Sequence, residues 1–317
     1  MIHAENETVR SLLFQGNFGL ERETLRITED GFLAQSPNPF PNNPHVVRDF
    51  SENQVEINTG IQHSPAKALA ELAHYDKMVQ TKLAQQNPKE MLWPFSNPPY
   101  LRDENDIPIA QFYGEEAGKT SYREYLSNQY GRYKMTFSGI HFNYSFCDEL
   151  LKRDFELSEF AAGNKDKGEG EEHGEDTNAG STPAADANNA HENAAFTAYK
   201  NDLYLTLAQR CVAYGWVMSA ITAASPIMDS SFVEQGNTGG DLYFGLGTVR
   251  CSELGYWNYF SPVLDYSSPA GYADSIQQYV DRGYIMYPSE LYYPIRLKPS
   301  GAYSLDSLRA GNISHIE

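Results

Sequence analysis

The sequence predicts a mixed α+β fold, on three observations. Carboxylates recur at strand spacing in Phe18–Ile27, which holds Glu21 and Glu23, and again in Asp49–Ile57, which holds Asp49, Glu52 and Glu56. Ser64-Pro65 opens an apolar-periodic stretch with a capping serine and a proline suited to the first helical turn. Residues Phe196–Ala224 read as a long, buried helix, in which Arg210 needs a partner.

The elements follow in chain order. Residues 9–60 read as strands and turns, with Glu29-Asp30-Gly31 as a hairpin turn. Pro37–Pro44 carries four prolines and reads as a loop. The helix from Ser64 turns Leu69, Leu72, Val79 and Leu83 to one side and stops before Pro88. Leu92–Leu101 is a rigid proline-aromatic loop and Ser121–Tyr130 a helix. Lys134–Cys147 reads as a strand, with Phe142, Tyr144 and Phe146 opposite His141, Asn143 and Ser145. Beyond the long helix, Asp241–Cys251 looks extended, Tyr266–Tyr284 contains a short helix, and Tyr292–Leu297 is a further strand.

Composition removes several function classes. A net charge of −18 argues against nucleic acid as a partner, because phosphate backbones need a basic footprint. Three cysteines at long spacing form neither a disulfide framework nor a zinc site, and they suit a reducing cytoplasm. The N-terminus lacks an apolar signal core, and Val212–Ser225 is too short to span a bilayer, so no membrane is expected. Residues 161–195 contain no large apolar side chain and read as a disordered acidic insert within one domain. Gly114–Thr120 falls one residue short of a P-loop, and Gly245-Leu-Gly247 is no dinucleotide fingerprint.

The acidic face is the candidate site. In a strand, residues i and i+2 share a face, so Glu21 and Glu23 project together while Leu25 and Ile27 extend that face toward the interior. Like charges gathered in this way call for a counter-ion. Hard divalent cations that also carry nucleotide phosphates answer that need, and such cations assist phosphoryl transfer.

The block Phe18–Ile27 resembles the signature of bacterial glutamate–cysteine ligases, the γ-glutamylcysteine synthetases. The resemblance continues through Asp49–Glu52, Gln54–Ile57, Leu92–Phe95, Ala110-Gln111 and Tyr122–Leu126. It runs on through Ser138–Asn143, Ala224–Pro226, Val249–Tyr256 and Leu291–Arg296, covering nearly the whole chain. Both stand-alone ligases and the N-terminal half of bifunctional glutathione synthases share these blocks. The resemblance implies a glutamine-synthetase-like fold, a curved antiparallel sheet forming a funnel flanked by helices. It implies ATP as substrate, with Mg²⁺ (Mn²⁺ as its substitute) as cofactor, and L-glutamate and L-cysteine joined through γ-glutamyl phosphate. By similarity, Glu21, Glu23, Asp49, Glu56, His141 and Glu317 fall on metal-binding positions. Tyr122, Leu126, Arg250 and Tyr256 fall on positions lining a cysteine site.

Two departures accompany the match. The acidic insert is longer than the family pattern leads one to expect, which a surface loop tolerates. The family also continues past Glu317 with an arginine assigned to substrate glutamate, so 1–317 is expected to be one ligase catalytic domain, incomplete at its C-terminus. Two alternatives stand beside the ligase: a related carboxylate–amine ligase with another amine, and an inactive remnant that binds Mg-nucleotide.

Overall fold

The computed structural model describes residues 2–161, 183–222, 225–234, 242–244 and 247–317. The chain divides into two compact units that interleave in sequence. A terminal unit comprises Met1–Asn17, Tyr144–Gly215 and Phe260–Glu317, and a central unit comprises Phe18–Asn143 and Trp216–Tyr259. Helix and antiparallel strand occur together in each, in line with the α+β expectation.

The central unit is organised by β1 (Gly16–Thr28), all but its first two residues. β3 (Gln54–Asn58) pairs antiparallel with it, and β2 (Val46–Arg48) pairs with β3. The far end of β1 pairs with β4 (Glu90–Leu92), and its other edge faces β5 (Ile140–Phe146). The turn at Glu29–Gly31 forms as expected, with Gly31 at φ 82° and its N–H donating to the Thr28 carbonyl at 3.0 Å. Positive φ is cheap only for a residue without Cβ.

Alternation along these strands sorts the side chains into two faces. Val55 and Ile57 are buried against α2 (Pro65–Leu83), together with Val79 and Leu83. Ser64 caps that helix by accepting from the Lys67 N–H at 3.3 Å. On the opposite face, Leu25 and Ile27 join Phe50, Phe137, Phe232 and Val249 in a second cluster. α3 (Ala117–Tyr130) follows a single 3₁₀ turn at Gly114–Glu116, so no strand feeds the near P-loop. A two-stranded ribbon, β6 (Ile227–Asp229) with β7 (Leu242–Phe244), completes this unit.

The terminal unit is helical around a short strand pair. α1 (Glu7–Leu12), α4 (Asp148–Glu156), α5 (Pro183–Thr222, up to Gly215), α6 (Pro269–Asp281) and α7 (Leu305–Arg309) surround β8 (Leu297–Pro299) and β9 (Ile313–Ile316). β9 pairs with β8 and, at Tyr144↔Ile316, with the end of β5. Val9, Leu150, Tyr204, Ile276, Leu297 and Leu308 belong to one apolar cluster. Asp154, fully buried, accepts from the His3 backbone N–H at 2.7 Å and from the Tyr199 hydroxyl at 2.6 Å. Replacing Asp154 with Ala strands both donors, so the urea midpoint should fall by the equivalent of about 2–4 kcal/mol.

Several boundaries differ from the sequence reading. Helix α5 begins at Pro183, so residues 183–195 of the expected disordered insert are helical, while 162–182 lie outside the described residues. Arg210 is exposed and needs no buried partner, and Trp216, Met218 and Ile221 at the end of α5 are exposed rather than buried. Only Ile140–Phe146 of the expected 134–147 strand is extended, because Tyr133–Thr136 forms a 3₁₀ turn closed by the Thr136 hydroxyl donating to the Tyr133 carbonyl at 2.6 Å. The strand expected at Tyr292–Leu297 is instead Leu297–Pro299, and Leu69 of α2 is 58% exposed. In Asp241–Cys251 the extended part is Leu242–Phe244, while Asp241, Gly245 and Leu246 lie outside the described residues.

Candidate active site

The acidic face lies within the central unit. β1 and β3 pair with Glu21 opposite Asn58, Glu23 opposite Glu56 and Leu25 opposite Gln54. One face therefore carries Glu21, Glu23 and Glu56, bounded by buried Leu25 and Gln54. His141 on β5 stands beside it, Nδ1 at 3.6 Å from Glu21 and Nε2 at 3.4 Å from Glu23. Asn143, one strand repeat further on, donates from its side-chain amide to Glu21 at 2.9 Å. Side-chain exposure falls from 36% at Glu21 to 12% at Glu23, so the face deepens along β1.

Charge and burial oppose each other here. Burial is the main cause that raises Glu23 above the ordinary carboxylate range, against the lowering influence of His141 and Arg250. Burial and then the neighbouring Glu23 push Asp49 up to about 7. Burial and then Asp49 push Glu56 up to about 7, although the Asn58 amide donates to it at 2.9 Å. The carboxylates thus destabilise one another, and a cation is what would relieve them.

The donor set fits Mg²⁺ by its chemistry, hard carboxylate oxygens with one imidazole. Among the described residues, no three His, Cys, Asp or Glu groups converge as a ready-made metal cage. Mg²⁺ does not need one, since it usually takes one or two carboxylates and completes its shell with water and phosphate oxygens. Glu52, the remaining acid of the second block, turns away from this set. It accepts from Arg48 at 2.6 Å and from the Gln111 backbone N–H at 2.8 Å.

The residues assigned to cysteine also gather in the central unit. The turn Arg250–Tyr256 closes through the Tyr256 N–H donating to the Arg250 carbonyl at 2.8 Å. Gly255 makes this possible, since a Cβ there would sit 2.2 Å from that carbonyl oxygen. The Arg250 guanidinium lies over the Tyr256 ring, 4.9 Å from its centroid, and its charge reaches Glu23. Leu126 and Tyr256 both pack on the cluster around Phe137, and Tyr122 lies one turn before Leu126 on α3. Glu317 belongs to the terminal unit, where its carboxylate pairs with Lys298.

Three contributors escaped the sequence reading. Gly139 donates its N–H to Glu23 at 2.7 Å, and a Cβ there would fall 2.5 Å from the Arg250 guanidinium. Gly139→Ala is therefore expected to displace Arg250 from Glu23 and, on the assignment the family resemblance implies, to weaken cysteine saturation about tenfold, read as KM. Arg123 donates to the Asp49 carbonyl and stacks on Phe112 at 4.7 Å, and burial lowers its pKa. Arg48 lies 4.6 Å from the same Phe112 ring. The block Tyr122–Leu126 did contain Arg123, but a helical arginine beside two assigned positions reads as solvated until its contacts are known.

Comparison with known proteins identifies the family. The sequence model of the glutamate-cysteine ligase family matches residues 2–170. The glutathione biosynthesis bifunctional protein GshAB of Listeria innocua is 33% identical over 99% of this chain and 38% of its own length. GshAB of Clostridium perfringens is 31% identical over 99% of this chain and 37% of its own length. The chain thus spans less than two fifths of these curated relatives. Among solved structures, a bifunctional glutathione synthetase from Pasteurella multocida superposes with a TM-score of 0.74 and 26% identity, covering 100% of this chain and 37% of that one. A glutamate–cysteine ligase from Francisella tularensis, in complex with AMP, shares the fold with a TM-score of 0.69 at 22% identity, covering 96% of this chain and 60% of that one. With the family model matched over more than half its length, the chain belongs to the glutamate–cysteine ligase family.

Proposed function

We propose that this chain carries the catalytic machinery for ATP- and Mg²⁺-dependent ligation of L-cysteine to the γ-carboxylate of L-glutamate. This is the first step of glutathione biosynthesis. The observation that carries the reading is the acidic face itself, with Glu21, Glu23, Glu56 and His141 side by side and Arg250 acting on Glu23. AMP in the Francisella tularensis ligase supports a nucleotide substrate. The fold class in this reading is glutamine-synthetase-like, and 1–317 works as one ligase catalytic domain. Glu317 enters the metal set by resemblance alone. The three cysteines, free in this structure, fit a reducing cytoplasm.

When bound, Mg²⁺ would neutralise polyphosphate charge and favour attack on the γ-phosphorus. Glu21, Glu23, Asp49, Glu56 and His141 would hold it, since they are the carboxylates and imidazole of one face. Arg250 presents a planar fork suited to the α-carboxylate of cysteine, with Tyr122, Leu126 and Tyr256 as its walls. Glutamate's γ-carboxylate takes the γ-phosphoryl group and ADP leaves. The cysteine amine then displaces phosphate from the acyl phosphate, forming the amide. The chain contributes positioning and charge compensation to both steps.

The test is ADP release by the purified chain with Mg²⁺, ATP and L-glutamate, with and without L-cysteine. Cysteine-dependent turnover is the expected result. Turnover that prefers another amine would replace the substrate assignment, and ATP binding without any turnover would favour a nucleotide-binding remnant.

A further inference from the structure

Glu23 and Glu56 are direct cross-strand partners. The Glu23 N–H donates to Gly139 on the β5 side at 3.0 Å, so toward β3 this is a non-hydrogen-bonded pair, the kind in which side chains approach closest. Like charges in that position are unfavourable. A two-residue slip of β3 that sets Glu23 against neutral Asn58 would keep every side chain on its face and move Glu56 opposite Leu25, away from both acids of β1, whereas the opposite slip would set Glu56 against Glu21. Without a cation, the repulsion between Glu23 and Glu56 thus favours the first of these slips, and something else has to hold the observed register.

Arg26 sits one residue beyond the last registered pair, Leu25↔Gln54, on the opposite face from the acids. Its backbone N–H donates to the Asn53 carbonyl at 2.8 Å. Its guanidinium donates to the Glu52 carbonyl at 3.0 Å, to the Ser36 carbonyl at 2.9 Å and to Glu90 of β4 at 2.7 Å. The Ser36 hydroxyl donates to the other Glu90 oxygen. The Glu52 carbonyl lies in the turn between Asp49 and Glu56, so this contact exists only in the observed register. Asn53 also ties the turn to the Ala34 and Asp106 carbonyls, but neither of those bonds reaches β1.

The Arg26–Glu90 pair is a poor device for stability. Both side chains are essentially fully buried, and Arg26 Nε has no hydrogen-bond partner among the described residues. Buried ion pairs often contribute no more than apolar replacements of equal volume, and fixing a register is their best-attested use. We propose that Arg26 and Glu90 form a register clamp that holds Glu56 opposite Glu23 and so assembles the acidic face for a divalent cation. Arg26 and Glu90 are positioning residues, since neither lies on that face. The cation part of this statement rests on the function proposed above, whereas the register part does not.

The test uses Arg26→Met/Glu90→Leu, which keeps volume and removes the clamp. A reporter pair, Glu21→Cys/Asn58→Cys, sits opposite in the observed register and leaves Glu23 and Glu56 charged. Cross-link formation under mild oxidant in metal-free buffer is followed by peptide mapping, which separates it from Cys147, Cys211 and Cys251. The clamp predicts cross-linking at least threefold slower in the double variant, with the urea midpoint little changed. It also predicts a Mg²⁺ midpoint for thermal stabilisation at least tenfold higher without the reporter cysteines. If the double variant does not fold, Arg26→Lys keeps the charge but loses the fork to the Glu52 carbonyl, and slower cross-linking is again expected. Cross-linking at the parental rate in a folded clamp variant overturns the proposal. A parental protein with no Mg²⁺ response overturns the cation reading instead, and leaves the cross-link to decide the register.

Discussion

Glu56→Gln is expected to raise the thermal midpoint of the metal-free protein at pH 8 by about 5 °C and to abolish its response to Mg²⁺. The sign follows from the direction of the shift. Glu56 titrates at about 7 in the folded chain against an ordinary 4.5, so the folded state prefers the protonated carboxyl. Below the unfolded value, both states are protonated and Glu56 costs nothing. As pH climbs from 4.5 to 7 the unfolded state ionises first, and stability falls. Above 7 the full penalty remains, on the order of 3 kcal/mol. A glutamine keeps an acceptor for Asn58 and removes the charge facing Glu23 and Asp49. Parent and variant should therefore unfold together at pH 4 and separate by pH 8 in thermal scans without metal. A constant difference across that range would show that Glu56 is not held unfavourably. In the ligase assay, the same variant should lose at least about a hundredfold in Mg²⁺-dependent ADP release, because the carboxylate that costs stability is the one offered to the cation.

Arg250→Ala carries the second large effect. Its guanidinium lies over Tyr256 and acts on Glu23, so truncation removes both an anion receptor and a counter-charge. The loss of a buried charged partner costs about 2–5 kcal/mol in binding, so KM for L-cysteine should rise at least about thirtyfold. KM for L-glutamate should move less than about threefold. Arg250→Lys should recover part of the charge effect but little of the affinity, because an ammonium cannot reproduce the fork. Equal increases for both amino acids would remove Arg250 from the cysteine site.

What the sequence made legible was what lies close together along the chain. Glu21 and Glu23 share a strand face, and the Ser64–Pro65 cap and the Gly31 turn stand where their residue types predict. The pairing of Glu23 with Glu56 needed the register, which depends on contacts between distant segments. Gly139 carries no local signal of its role, since nothing near it in sequence shows that Arg250 would arrive beside it. Residues 183–195 contain no large apolar side chain, yet α5 extends through them, a case of helix continuing past the point where composition argues against order. Trp216, Met218 and Ile221 failed in the other direction, because apolar content predicts burial only when a covering surface is known.

The interleaving of the two units has a consequence for biogenesis. Val9 and Leu12 share a core cluster with Leu305, Leu308 and Ile313, so the terminal core joins segments far apart in sequence. The sequence of the central unit is made before the Phe260–Glu317 segment of the terminal unit. The terminal core therefore carries the larger loop-closure cost of the two. Until that segment is made, the apolar residues of α1 and α4 lack part of the cluster they are buried in.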